Sequence, residues 1–240
     1  MGFKKHTSGK SNYISVMEGK IVVKASEGDE GAVCRQNKND VTVWEQLYDS
    51  YEGHITSAAI KVSTDDRFPD QLVIEVTDKA TKEKVNIAVS MTSKYSAKFF
   101  QVMRNIDLKR PVEFVPYHLP KEESGKYVTG WNLYQGGTNP DNKLTSSFDL
   151  GHKDKNGKWV EGEVPGWTSE EKKVKGKLKT VWDNSEEIEF YTKHFNKWVD
   201  KNGLNVEDED DRSSQEEDEV PARKTGSKPA AKTDDEDDDY

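Results

Sequence analysis

A single cysteine, Cys34, occurs in 240 residues, so no disulfide can close within the chain. The N-terminus MGFKKHTSGK has no apolar signal core. Together these absences predict a reducing, cytoplasmic setting. No stretch approaches the roughly 20 apolar residues that a membrane helix requires, so no membrane partner is expected. Gly2 opens a myristoylation-like start, but His6 stands where Ser or Thr is needed.

Catalytic signatures are equally scarce. The five histidines, His6, His54, His118, His152 and His194, are scattered and none belongs to an HExxH pattern. Cys34 sits in the polar stretch GAVCRQNKN with no neighbouring base or oxyanion donor. The Gly pair of YQGGTNP lacks phosphate-loop spacing and reads as a turn. Adjacent Asp65 and Asp66 could suggest a two-metal nuclease, but such a site needs several acids converging in space. We expect no catalysis, no metal and no cofactor.

Apolar residues make up 32% of the chain against 34% charged, and the shortage is uneven. Residues 207–240 carry 15 acidic and five basic side chains, a net charge of −10. Removing them from the chain's 45 acidic and 36 basic residues leaves 30 and 31, so the rest is almost neutral. With Val220 and Tyr240 nearly alone as larger apolar groups, this tail cannot bury enough surface to offset chain ordering at roughly 1–2 kcal/mol per residue. It is read as a disordered acidic tail.

The body is dominated by alternation of period two, the mark of half-buried strands. Strands are expected at 12–25, 41–51, 54–62, 71–78 and 84–91. A helix at 93–106 follows, with Ser93 as N-cap and Tyr95, Phe99, Val102, Met103 and Ile106 on one face. Two further extended segments lie at 111–120 and 125–137. Pro116 and Pro120 mark the first as an edge strand or one that breaks midway. The pattern predicts a mainly β fold, an OB-fold-like antiparallel barrel with an inserted short helix, over 1–142. A sandwich is the alternative. An extension or arm, rich in Gly and charge, covers 143–206. It ends in a C-terminal helix at 185–201, for which Asp183 and Glu186 have capping-box spacing and Asn202-Gly203 a stop. The stripe Ile188, Tyr191, Phe195, Trp198 and Val199 suits packing on the barrel or a partner.

Rings and cations share the same strands. Trp44, Tyr48, Tyr127, Trp131 and Tyr134 could stack on unpaired bases, while Lys61, Lys94, Lys98, Arg104 and Lys126 could neutralise phosphates. The competing explanation is that Trp and Tyr fill the core, as in any small β protein. An acidic tail would then compete for the cationic groove and give way to a polyanion of higher charge density.

The chain closes on Asp234, Asp235, Glu236, Asp237, Asp238, Asp239 and Tyr240. An aromatic-rich β body followed by a flexible tail of acids and a terminal ring resembles bacteriophage single-stranded DNA-binding proteins. Tyr240 departs from the Phe common at that position in the family. The resemblance covers the layout of the whole chain and, residue by residue, 234–240 alone. It implies sequence-independent coating of single-stranded DNA in replication, recombination or repair. It also implies recruitment of polymerase, helicase or primase by the tail, in a host cytoplasm if the origin is a phage. Homo-oligomerisation stays open. The rival reading is a non-catalytic, chaperone-like interaction adaptor with an acidic tail.

Overall fold

Glu18 and Gly19 both take left-handed backbone, φ 49° and 75°, so the alternating run at 12–25 reverses instead of continuing. Two such residues in a row make the primed turn that suits a hairpin. The result is β1 (Asn12–Met17) and β2 (Lys20–Ala25). The computed structural model describes residues 12–205 except 37–39, 66, 79, 122–124 and 175–176, with backbone alone at 12, 172–174, 177, 179, 181 and 182. The tail 207–240, including the seven residues from Asp234 to Tyr240, lies outside the described residues.

Next come β3 (Val33–Gln36), β4 (Thr42–Tyr48), β5 (Tyr51–Lys61), β6 (Gln71–Thr77) and β7 (Lys84–Ser90). With β8 (Val112–Lys121) and β9 (Lys126–Tyr134) they form one nine-stranded sheet in the order β3-β4-β2-β1-β7-β6-β5-β8-β9. β3 escaped the sequence reading because its residues VCRQ are all exposed and show no alternation. β1 runs parallel to β7, so the sheet is mixed, not purely antiparallel.

Nor is it a closed barrel, since no ladder among the described residues joins its outer strands. It curls instead. A Cβ on Gly19 would lie 2.7 Å from the His118 amide nitrogen, so the β1–β2 turn seats against β8 although β7, β6 and β5 intervene in the sheet order. The prolines of β8 explain its behaviour. Among the described residues β8 pairs with β5 from Val112 to Phe114 and thereafter with β9 alone, leaving Pro116 and Pro120 where one edge has no ladder to feed.

α1 (Lys94–Val102) begins where the Ser93 hydroxyl accepts the Ser96 amide proton. α2 (Ser185–Asn202) ends at Gly203, φ 63°, the left-handed cap that glycine adopts at least cost. Its start differs from the expected capping box. Asn184 occupies the N-cap position, and Asp183 Oδ1 accepts from the Ser185 amide and hydroxyl.

The apolar stripe of α2 is internal. Tyr191, Phe195, Trp198 and Val199 are buried, with Tyr191 stacked 5.6 Å from Phe100 and Trp198 edge-on to Phe99 at 6.0 Å. These rings share one core with Ile14, Leu72, Ile74 and Ile87 of the sheet and with Phe148 of the extension. The extension is more ordered than its composition suggests. It holds the two-residue strands β10 (His152–Lys153) and β11 (Trp159–Val160), then a longer ribbon of β12 (Thr168–Val174) and β13 (Lys177–Asp183). No helix among the described residues is long and apolar enough to cross a membrane.

Candidate nucleic-acid interface

Strand register divides the sequence-predicted contacts between two faces. Ile21 pairs with Tyr48 and Ala25 with Trp44, while Pro116 pairs with Trp131 and Pro120 with Tyr127. Partners across a ladder share a face, so these four rings lie on the face that carries the core. Lys61 pairs with Gln71, Lys126 with Lys121, and Tyr134 with Glu113, which puts those three on the opposite face. One strand of nucleic acid lying along a single face cannot touch both sets.

Depth separates the rings further. Trp131 is 0% exposed, 5.3 Å from Phe114 and 5.4 Å from Tyr95 between ring centroids. It is a core residue, and the expectation that it stacks on a base is corrected. Tyr127 is 59% exposed and stacks on His118 at 4.1 Å and 12°. Tyr48 is also exposed, with its hydroxyl donating to Gln46, whereas Trp44 is half-buried.

The predicted cations divide as well. Lys61 donates to the Tyr13 hydroxyl at 2.8 Å. Arg104 lies 4.0 Å over the Phe148 ring and donates to His194 Nδ1 at 2.6 Å, so it braces the extension against α2. Lys94 and Lys98 are the pair that converges. One turn apart on α1, they line a cavity of about 330 Å³ with Tyr117, Val128, Trp167, Glu187 and Tyr191.

A second cavity of about 490 Å³, lined by Leu150, Trp159 and Glu161, adjoins the first and shares Gln101, Trp167 and Glu187 with it. Trp167 is 51% exposed and Trp159 55%. Sequence reasoning passed over both indoles because the extension has few apolar runs. Their signal was the tryptophan content of 143–182, where Trp159, Trp167 and Trp182 stand in a segment otherwise polar and glycine-rich.

The groove's electrostatics favour an anion beside α1. Burial, then the charge of nearby Lys143, holds the Lys98 ammonium below its ordinary pKa. A cation under that strain gains from a counter-charge. The first turn of α1 contains no acid, so the positive end of its dipole adds to the same field. In the same groove, burial raises the Glu187 carboxyl although the Trp167 indole hydrogen bond pulls it back down. Burial likewise pushes the Tyr191 phenol up to about 12, keeping it neutral on the cavity wall.

Such a groove gathers aromatic rings and ammonium groups into one lining. Among the described residues no cluster of three or more His, Cys, Asp or Glu side chains is placed to hold a metal ion. Comparisons of the chain with protein-family models, with curated proteins and with solved structures found no significant match.

Proposed function

We propose that this chain is a sequence-tolerant single-stranded DNA-binding protein, its curled sheet serving as an OB-like body that coats DNA during replication, recombination or repair. One observation carries the reading: half-exposed Trp167 lines the same groove as Lys94 and Lys98. A base on the indole face contributes roughly 1–3 kcal/mol, and each phosphate neutralised adds a salt-dependent increment. Exposed Trp159 extends the stacking surface into the adjoining cavity. In this proposal the acidic segment 207–240 competes for the lysines when DNA is absent and recruits replication proteins when displaced.

Titration of poly-dT into the full-length protein, followed by tryptophan emission at two salt concentrations, tests the proposal. Saturable quenching that weakens with salt is the expected result. Absence of quenching and of any mobility shift at low salt would overturn it and favour the interaction-adaptor reading.

A further inference from the structure

Among the described residues, the ribbon of β12 and β13 pairs with no strand of the main sheet. Its seven pairings run from Thr168 opposite Asp183 to Val174 opposite Lys177. At about 3.3 Å per residue that is roughly 20 Å of ladder. The base is tied to the groove, for Trp167 immediately precedes β12 and donates to Glu187 of α2, while Asp183 ends β13 and accepts from Ser185.

Charge is distributed along the ribbon by sequence. The acids Glu170, Glu171 and Asp183 belong to the half near the base. Beyond Glu171 and Thr180 the paired residues include Lys172, Lys173, Lys177 and Lys179 and no acid. The register sets Lys172 opposite Lys179. A two-stranded ribbon has little stability of its own to spare. A lysine concentration of this kind is favourable when a polyanion neutralises it.

Resting on the reading of the groove as a nucleic-acid site, we infer that the β12–β13 ribbon is a second contact surface, one that grips the phosphodiester backbone of the strand whose bases meet Trp167. The groove supplies stacking and the ribbon supplies charge. Because phosphate contacts release counterions, the ribbon's contribution lies in the salt dependence of binding, with a slope of about 0.7 per contact on single strands.

The test uses the full chain with Lys172, Lys173, Lys177 and Lys179 changed to Ala, beside a second variant with the same four changed to Arg. Circular dichroism checks the fold of each. Binding of oligo-dT and oligo-U is measured over a salt series. The Ala variant is expected to keep tryptophan quenching at saturation while its slope falls by roughly 1.4–2.8, the value for two to four lost contacts. The Arg variant is expected to keep the wild-type slope, and the loss in the Ala variant to be equal on both strands.

An unchanged slope in the Ala variant, with wild-type binding intact, overturns the ribbon assignment and leaves the groove reading standing. A weaker affinity with unchanged slope does the same, since it reports a structural effect. Loss on one strand type alone overturns the assignment to phosphate. Failure of the wild-type chain to bind either strand removes both readings together.

Discussion

The Trp167 indole donates its hydrogen bond to the carboxylate of Glu187, joining the entry of the β12–β13 ribbon to the first turn of α2. A half-exposed indole is thereby held at a fixed angle in the groove wall. A negative charge is held there too, at a cost that burial imposes.

That cost sets the first prediction. With its folded pKa raised, Glu187 gives up its proton in the unfolded chain first as pH rises. Stability therefore falls as pH climbs from the ordinary carboxylate value to the folded one, and the penalty is complete at neutral pH. Glu187→Gln keeps an acceptor for the indole and removes the charge. Thermal unfolding should show a higher Tm than wild type at neutral pH and no difference below the carboxylate range. Affinity for poly-dT should rise. A lower neutral Tm would mean that the charge itself is needed to hold Trp167.

Removal of the ring tests the stacking surface. Trp167→Ala should weaken oligo-dT binding by roughly 1–3 kcal/mol, the value of one stacked base. Trp167→Phe should recover most of that loss, because a phenyl face still stacks, although the share of the emission change due to Trp167 is lost. Isotherms from anisotropy of labelled DNA separate affinity from quenching. Equal losses in both variants would reassign Trp167 to a structural role through Glu187.

Trp131 should behave in the opposite way. Truncation of a fully buried indole costs about 3–5 kcal/mol of folding stability, so Trp131→Ala should lower the denaturant midpoint sharply. DNA affinity per folded molecule should be unchanged at temperatures well below its transition. A large affinity change in a still-folded protein would show that Trp131 reaches the DNA.

Acid should loosen the extension. Burial first, then the neighbouring Arg104, Lys197 and Lys193, lower the His194 pKa, while Glu163 opposes them. Neutral Nδ1 accepts from Arg104, and protonation would set two cations against each other. A depressed histidine gives stability that is complete above its ordinary value of about 6.5 and is lost as pH falls toward the folded pKa. His194→Gln should flatten the Tm profile across that interval. An unaltered profile would place the acid sensitivity elsewhere.

Local signals in the chain determined the elements that answer to local physics. Ser93 starts α1, Gly203 stops α2, and alternation at Val85, Ile87 and Val89 marks β7, because caps and sheet faces depend on nearest neighbours. Pro116 and Pro120 announced a strand losing one partner, since proline cannot feed a ladder. The α2 stripe was legible too, but its partner was not. Only the assembled core shows Phe99, Phe100 and Phe148 covering it.

Tertiary structure alone decided which rings stay wet. Tyr127 and Trp131 are four residues apart on one strand face, and alternation treats them alike. Packing of α1 against the half of β9 that holds Trp131 buries that ring and leaves Tyr127 exposed. The same packing brings Lys94 and Lys98 to Trp167, across more than sixty residues of sequence. It parts them from Lys61 and Lys126, which the register assigns to the other face. Periodicity specifies a face, whereas burial on that face depends on what distant segments lay over it, and no window of local sequence contains that information.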